Sequence, residues 1–307
     1  MTRIEVARSI LARRVGPMRI GLVIATRNRA RVLAETLGAV RAQTRPPEAI
    51  VAVDNDSADD TLELLGRDFP EVLVVKAGDN TGVNGGLALG LRALEGRGLD
   101  AFWILDDDTL PPPDSLEELE EALRAAPQAS GVGYQGGTIR WGTIRHFKTP
   151  EALSRLPSLA PGLREVDFFL VDGALVKREA VEAVGYPPEN YFMMIGDVEY
   201  PYRMTRAGFR LVVFERDRLH RATLGGKGDA SGKPAWRAYY KARNQVRMAL
   251  DYRSPLLLAG ALARIARLAL GYARPGKGDG ARARALLHGT LDGFRGRMGR
   301  TVEPTGP

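Results

Sequence analysis

The chain of 307 residues contains no cysteine and only three histidines, His146, His220 and His288. Without cysteine there is no disulfide framework and no thiolate metal site, and three separated histidines exclude a His-rich metal cluster. The absence of cysteine also fits a reducing compartment. With 44% hydrophobic residues, a chain of this length can still bury a large core in one large domain or two smaller ones.

The sequence also lacks a long apolar run that is free of charge. Its first residues, MTRIEVARSILARRVGP, contain no uninterrupted apolar stretch, so no secretory signal is predicted. The late segment PLLLAGALARIARLALGYA carries Arg264 and Arg267 near its middle, which argues against a spanning helix and favours an interfacial or core-packed one. We therefore predict a cytoplasmic protein, with peripheral attachment to the inner face of the plasma membrane as an open alternative.

Positive charge is concentrated at the two ends of the sequence. Residues 253–307 hold ten Lys and Arg against three Asp and Glu, and residues 1–17 hold four Arg against one Glu. Since the net charge of the whole chain is +7, the central body 18–252 is net acidic, at −3. Basic ends suit nucleic acid, anionic lipid or simple solubility. The acidic body, which has no recognised nucleic-acid motif, argues against a nucleic-acid partner.

From Arg19 onward, short apolar runs alternate with helix-length amphipathic runs. This order predicts an α/β fold with a mostly parallel sheet and helices on both faces. Ligands bind such sheets outside the carboxyl ends of the strands. The predicted strands are 20–25, 49–54, 72–76 and 101–105, and the predicted helices are 30–43, 58–66, 84–96 and 114–126.

Three adjacent acids end the fourth predicted strand, in FWILDDDTL at 102–110. Asp106 and Asp108 point the same way in an extended chain, and Asp107 points the other way. Carboxylates at a strand end suit a hard divalent cation such as Mg²⁺ or Mn²⁺, which usually also bridges substrate phosphates. The alternative is that the acids cap the next helix, but Asp114 is the expected cap there.

Several of the loops, taken in order, resemble those of the family 2 inverting glycosyltransferases, which have the GT-A fold. The resemblance covers roughly residues 19–225 and is closest to the rhamnosyltransferase and galactofuranosyltransferase branches. The segment AWRAYYKARNQVRMALDYR at 235–253 also resembles the Tyr-Tyr, Arg-Asn segment of those branches. The motifs within 19–225 are VIATRNR, AVDNDSADDT, NTGVNGGLALGL, LDDD, VDGALVKREAVEAVG and YFMMIGDVEYPYRMTRAGFRL.

The resemblance implies a role for individual residues. Asp197, at the head of a predicted helix, would be the catalytic base, although many relatives have an acid where this chain has Gly196. Asp106, Asp108 and the distant His220 would hold the metal. The residues implied to contact the nucleotide sugar are Thr26, Arg29, Asp54, Asn55, Asn84, Gly85, Gly86, Asp106 and Asp107.

Structural alternatives stay open for several of these residues. Asn55 can form an Asx-turn, and Gly85 and Gly86 can serve a turn before a helix. Asp197 can be a plain N-cap, and His220 can be structural. Lys227, in the Gly-rich segment 222–233, is expected either to meet phosphate or to lie in a linker.

The implied reaction moves a galactofuranose-type or rhamnose-type sugar from a UDP- or dTDP-sugar donor. The acceptor would be a hydroxyl of a cell-envelope glycan or of a polyprenyl-diphosphate-linked glycan, shaped by segment 135–165 with Trp141 and His146. A sugar nucleotidyltransferase is the alternative enzyme. The expected organisation is a basic segment 1–17, a GT-A catalytic domain 18–233 and a helical basic region 234–307. The catalytic domain divides into a nucleotide-binding half, 18–110, and an acceptor half, 111–233. The helical region is expected to dock either on an anionic membrane or on the catalytic domain.

Overall fold

A nine-stranded mixed sheet forms the centre of the protein in a computed structural model that describes residues 16–147, 149–221, 234–273 and 279–304. Seven of its strands run in one direction, and β10 and β12 run against them. The spatial order is β3-β2-β1-β4-β12-β6-β13-β10-β9. These strands are β1 (Ile20–Thr26), β2 (Ala49–Asp54), β3 (Leu73–Lys76), β4 (Ala101–Asp106), β6 (Ala129–Gly133), β9 (Ser158–Ala160), β10 (Leu163–Val166), β12 (Ala174–Lys177) and β13 (Arg210–Phe214).

The first half of the chain has the element order that the sequence predicts. Strand β1 is buried on both faces, as expected for a strand in the middle of a parallel sheet, with Leu22 and Val23 completely covered. The predicted α/β fold with a mostly parallel sheet is confirmed. The helices between the strands are α1 (Ala30–Arg41), α2 (Thr61–Asp68), α3 (Gly82–Ala93) and α4 (Ser115–Ala125).

The parallel register brings the polar strand ends to one edge of the sheet. Thr26 of β1 pairs with Asp54 of β2, and Ala25 pairs with Asp106 of β4. The loops that follow these strands therefore begin side by side. This is the edge at which a ligand is expected in an open α/β sheet.

Asp114 differs from its expected role. It stands at the N-cap position of α4, but its side chain makes no capping hydrogen bond. Its carboxylate instead accepts hydrogen bonds from Arg218 Nη2 at 2.8 and 3.0 Å. Because the carboxylate is engaged by Arg218 and by no backbone N–H of the helix, the prediction that this side chain caps the helix is wrong.

Two smaller sheets lie beside the main one. The first has the order β11-β7-β8, and the second is a ribbon of β14 and β5. The remaining helices of this half are α5 (Pro150–Leu153), α6 (Arg178–Val184) and α7 (Gly196–Arg206). The small-sheet strands are β5 (Thr109–Leu110), β7 (Gly136–Arg140), β8 (Thr143–Phe147), β11 (Phe168–Phe169) and β14 (His220–Arg221).

Three helices follow: α8 (Ala235–Asp251), α9 (Pro255–Tyr272) and α10 (Gly280–Arg295). They share a small core that includes Val246 of α8, Ile265 of α9 and Leu286 of α10. By length and composition alone, α9 is a helix that could cross a membrane, and only a minority of it is buried. The helical C-terminal region is confirmed, whereas the domain boundaries stay a prediction and residues 1–15 lie outside the described residues.

Candidate active site

A cavity of about 830 Å³ opens at the carboxyl ends of β1, β2 and β4. Residues from both halves of the chain line it, including His146 of the acceptor-side segment. Trp141 is 86% exposed on the β7–β8 turn and is not among the lining residues. Besides His146, eight residues that the sequence singles out line this cavity together: Thr26, Arg29, Asn55, Asn84, Asp106, Asp107, Asp108 and Asp197.

Asp107 is the most enclosed of the three adjacent acids, with 7% of its surface exposed. Its carboxylate accepts hydrogen bonds from Thr26 Oγ1 at 2.8 Å and from Arg29 Nη1 at 3.0 Å. Arg29 Nη1 also lies 3.1 Å from Asp108 Oδ2. Burial raises the pKa of Asp107, and the positive charge of Arg29 opposes that shift. Asp107 thus ties the β1 loop to the β4 loop.

Asp106 is fixed from the other side by Asp172, a buried residue that also lines the cavity. The Asp106 N–H donates to Asp172 Oδ1 at 2.9 Å, and Thr109 Oγ1 donates to the same carboxylate at 2.8 and 2.9 Å. The sequence reasoning did not single out Asp172. Its signal is an acid directly before Gly173, whose φ of +80° marks the turn into β12.

The acids suit a hard cation, but the expected third ligand stands apart. His220 is exposed, pairs with Leu110 in the β14–β5 ribbon and is not among the residues that line the cavity. Within the described ranges, no three His, Asp or Glu side chains lie close enough together to hold a metal ion. Mg²⁺ is commonly held by one or two carboxylates with substrate phosphates and water, so Asp106 and Asp108 fit such an ion, and the ligand set stays a prediction.

Asn55 joins the end of β2 to the start of α3. Its Oδ1 accepts a hydrogen bond from Thr81 Oγ1 at 2.7 Å, and its Nδ2 donates to the Gly82 carbonyl at 3.3 Å. Asp54 is also buried, and its carboxylate accepts a hydrogen bond from the Ser57 N–H at 3.3 Å. Asn55 lines the cavity whereas Asp54 does not, so a direct ligand contact is better supported for Asn55.

Gly85 and Gly86 lie inside α3 and are not among the cavity-lining residues. A methyl group on Gly86 would lie 2.6 Å from Asn55 Nδ2 and 2.7 Å from the Ala25 Cβ. Because real Cβ atoms do not approach so closely, a small residue is needed for α3 to pack against β1 and Asn55. The structure therefore gives Gly86 a packing role, and contact of these glycines with a nucleotide stays a prediction.

Asp197 lies in the first turn of α7, partly exposed in the cavity. Desolvation raises the pKa of its carboxyl above the usual Asp range, while nearby N–H groups and the Lys241 charge oppose the shift. A carboxylate with a raised pKa is a stronger base near neutral pH. Asn84 packs against the preceding residue so closely that a methyl group on Gly196 would lie 2.0 Å from Asn84 Oδ1. That contact leaves no room for a side chain at position 196.

The loop before Asp197 has an unusual backbone. Phe192, Met194 and Ile195 have positive φ angles of 62°, 61° and 68°. Each such angle in a non-glycine residue costs free energy, of the order of 1–3 kcal/mol, and persists only where surrounding contacts hold it. These three residues make a strained segment, residues 192–195, that aims the start of α7 into the cavity.

Asn244 of α8 holds this strained segment. Its buried Nδ2 donates to the carbonyls of Tyr191, Met193 and Met194 at 3.0, 2.7 and 2.9 Å. Beside it, buried Arg243 donates from Nη2 to the Tyr191 carbonyl at 2.9 Å. Arg243 and Asn244, the Arg-Asn pair noted in the sequence, therefore hold the loop that precedes the candidate base.

We expect Asn244→Asp to lower the turnover number by about tenfold to a hundredfold, because displacement of the base by even 1 Å is costly. The change keeps the side-chain shape but replaces the donor with an acceptor that faces three carbonyl oxygens. Unfolding free energy should fall by roughly 1–3 kcal/mol. Steady-state kinetics and thermal melts measure both effects. Asn190→Asp, the same change at an exposed neighbouring residue, is the control, and equal behaviour of the two variants would contradict the role.

Helix α8 also supplies a polar wall to the cavity. Arg237, Lys241 and Gln245 recur every four residues and all line it, together with Trp236. Burial lowers the pKa of Arg237, as does the neighbouring charge of Arg29. The sequence reasoning missed this face, although the i, i+4 spacing was its signal. Lys227, expected either to meet phosphate or to lie in a linker, lies outside the described residues.

Comparison with known proteins decides the family. The model described as glycosyl transferase family 2 matches residues 22–185, more than half of the chain. The chain belongs to this glycosyltransferase family. The match includes Thr26, Asn55, Asn84 and the three acids, whereas Asp197 and α8 lie beyond it.

Curated relatives of this glycosyltransferase include a galactofuranosyltransferase, GlfT1, of Mycolicibacterium smegmatis. It is 29% identical over 204 residues, which make up 61% of this chain and 65% of the relative. An undecaprenyl-phosphate mannosyltransferase of Micrococcus luteus is 28% identical over 207 residues, 64% of this chain and 81% of the relative. The chain thus spans a little less than two thirds of the galactofuranosyltransferase.

Solved structures show the same fold. A mannosyltransferase of Pyrobaculum calidifontis, in complex with GDP-Man and Mn²⁺, has a TM-score of 0.55 at 18% identity and matches 94% of this chain and 93% of its own. GalNAc-T7, with UDP, GalNAc and Mn²⁺, has a TM-score of 0.63 at 15% identity and matches 92% of this chain and 56% of its own. The GT-A fold predicted from the sequence is confirmed.

Proposed function

We propose that this family 2 glycosyltransferase is a metal-dependent inverting enzyme that moves a galactofuranose-type or rhamnose-type sugar from a nucleoside diphosphate to an acceptor hydroxyl. One observation carries the proposal: the candidate base Asp197 and the acids Asp106 and Asp108 line the same cavity at the carboxyl ends of the strands. A single in-line displacement needs a base and a charge-neutralising site in one such space.

Each group has a distinct task in this reaction. Asp197 takes the proton from the acceptor hydroxyl as that oxygen attacks the anomeric carbon, which inverts the configuration there. Asp106 and Asp108 would hold Mg²⁺ or Mn²⁺, which when bound would neutralise charge on the departing diphosphate. Arg29 and Arg237 both line the cavity, and we assign these two cations to the phosphates of the donor.

A UDP- or dTDP-sugar is the proposed donor. The galactofuranosyltransferase relative supports a galactofuranose-type sugar, and the GalNAc-T7 complex holds UDP. The Pyrobaculum enzyme holds GDP-Man instead, so the base must be established directly. Asn55, which lines the cavity at the end of β2, is the residue proposed to contact the base or ribose.

The proposed acceptor is a cell-envelope glycan hydroxyl, free or on a polyprenyl-diphosphate carrier. The name of the Micrococcus relative, an undecaprenyl-phosphate mannosyltransferase, supports a lipid-linked substrate. Leu256 and Leu270 of α9 are 56% and 71% exposed, and residues 253–307 are strongly basic. An exposed apolar face beside basic residues suits an anionic membrane surface, so we place the enzyme in the cytoplasm, peripheral on the inner face of the plasma membrane.

A donor screen tests the function. Purified full-length protein is incubated with Mn²⁺, an octyl galactofuranoside acceptor and either UDP-galactofuranose, dTDP-rhamnose or GDP-mannose. We expect release of UDP or dTDP from one matching donor together with a product whose anomeric configuration is opposite to that of the donor. Release of pyrophosphate from a nucleoside triphosphate and a sugar phosphate would instead establish the nucleotidyltransferase alternative, and a product with retained configuration would overturn the inverting mechanism.

A further inference from the structure

Arg264 is a cation of helix α9 that lines the cavity from outside the catalytic sheet. Leu257, Ala261 and Ile265 on the buried face of the same helix fix α9 in place. Arg264 is half-buried, and burial lowers its pKa, as does the charge of Arg267 less than one turn away. This cation therefore stands where water is partly removed.

Most partly buried arginines of the described chain have a carboxylate partner, and Arg264 has none within 4.0 Å among the described residues. Arg29 and Arg45, for example, are ion-paired with Asp107 and Glu120, and Arg203 with Glu199. A partly desolvated charge without a partner is costly. An anion bound in the cavity would supply the missing partner.

This cation is separate from the pair proposed for the donor phosphates. Arg29 contacts the acids Asp107 and Asp108 that follow β4, whereas Arg264 lies on α9. Ile144 and His146 of β8 line the cavity with Arg264, and the β7–β8 turn packs against α9 at Gly260. Arg264 thus belongs to the acceptor side.

An apolar strip runs along α9 beside this cation. Leu256, Ala259, Ala263 and Leu270 are all exposed, at spacings that place them on one outward face of the helix. Trp141, also exposed, stands on the turn that contacts the start of α9. In a ligand that joins a phosphate to an apolar chain, the phosphate would contact Arg264 and the chain would contact the adjacent apolar surface.

We propose that Arg264 binds a phosphate group of the acceptor, and that the apolar chain carried by that phosphate lies along the exposed face of α9. Calling this ligand the acceptor rests on the proposed function, whereas the phosphate site itself does not. Guanidinium offers several donors in a fixed plane and suits phosphate oxygens. The site recognises a phosphate ester on an apolar chain, whichever sugar the phosphate carries.

Calorimetric titration of the full-length protein with farnesyl phosphate, below its micelle concentration, tests the proposal. Farnesol and inorganic phosphate are titrated in parallel, so that the chain and the anion are measured separately. We expect farnesyl phosphate to bind more tightly than either. Arg264→Gln should weaken its binding by about tenfold to a hundredfold, and Arg264→Lys should recover part of that loss. The control Arg284→Gln, the same change at an exposed position on α10 that is not a cavity-lining residue, should bind nearly as the wild type does.

Equal weakening by the two Gln variants would show a general charge effect and overturn the assignment to Arg264. Inorganic phosphate that binds as tightly as farnesyl phosphate would overturn the role of the apolar face. Titration of the same variants with UDP and Mn²⁺ keeps the two hypotheses apart. Retained UDP binding with no response to farnesyl phosphate rejects this site alone, whereas absence of UDP binding in the wild type rejects the UDP-sugar form of the proposed function.

Discussion

Replacement of Asp197 by Asn should lower the turnover number by roughly 10²–10⁴-fold, the usual contribution of general-base catalysis, while the donor dissociation constant stays near that of the wild type. The amide keeps the size of the carboxyl but cannot accept a proton. Asp197 lines the cavity, and the donor is proposed to be held by other residues, the acids Asp106 and Asp108 and the arginines Arg29 and Arg237. Single-turnover kinetics and titration with UDP and Mn²⁺ measure the two quantities separately.

The same substitution should raise stability at neutral pH. Burial raises the folded-state pKa of Asp197 above its unfolded value, which for Asp is about 3.9. The folded state therefore binds the proton more tightly, and stability falls as pH rises through the window between these two pKa values. Above that window the wild type bears the full cost of the buried charge, and Asn does not. A higher melting temperature with lost activity is the expected pair of results.

Asp68→Asn, an exposed acid at the end of α2 that is paired with its neighbour Arg67, is the matched control and should change neither property appreciably. The acid limb of the wild-type rate should also lie above the pH range of an ordinary Asp. If Asp197→Asn turned over near the wild-type rate, the base would be another group. A loss of activity accompanied by loss of UDP binding would show a collapsed site instead of a missing base.

Removal of the metal and the substitution Asp106→Asn should each reduce activity by roughly 10²–10⁴-fold. The reason is that charge stabilisation by a bound metal is worth several kcal/mol. Asp106 lines the cavity, and its backbone is held by Asp172, so the substitution removes one ligand charge without releasing the loop. Chelation with EDTA should abolish turnover, and Mn²⁺ or Mg²⁺ should restore it. The shift of melting temperature with Mn²⁺ and UDP provides a readout independent of turnover.

Asp107→Asn is the matched comparison, since it makes the same chemical change at the adjacent residue. Asp107 binds Thr26 and Arg29, so its loss should lower stability and activity but leave the Mn²⁺ concentration for half-maximal activity unchanged. Asp106→Asn should raise that concentration. Full activity in excess EDTA, or the same metal dependence in both variants, would refute the assignment of Asp106 as a ligand.

The sequence was most informative where local pattern and tertiary role coincide. Alternating apolar strands and amphipathic helices predicted the sheet, and polar residues after each strand predicted the edge at which Thr26, Asp54 and Asp106 meet. Parallel strands place their carboxyl ends together, so neighbouring positions in space followed from order along the chain. Asp107, which the resemblance implied as a nucleotide-sugar contact, has a structural task as well, because its bonds to Thr26 and Arg29 link the first and fourth strands.

What the sequence did not reveal depends on contacts between distant segments. Asp172 lies 66 residues after Asp106, whose backbone N–H it binds. A single acid before a glycine does not indicate in the sequence which distant residue it will contact. Arg237 and Lys241 belong to a helix that the sequence analysis assigned to the basic C-terminal region and not to the active site. The angles at Phe192, Met194 and Ile195 are unfavourable for these residue types, so only tertiary contacts could impose them.

The hold of Asn244 on the strained segment has a consequence for biosynthesis. The carbonyls that Asn244 binds belong to residues 50 to 53 positions earlier, and its neighbour Arg243 also binds the Gly299 carbonyl at 2.7 Å, 56 residues later. Every strand of the main sheet, up to β13, is synthesised before Arg243 and Asn244. A nascent chain would thus contain every acid of the cavity while Asp197 is not yet held in position. It would become catalytically active only when its last helices pack against the sheet domain.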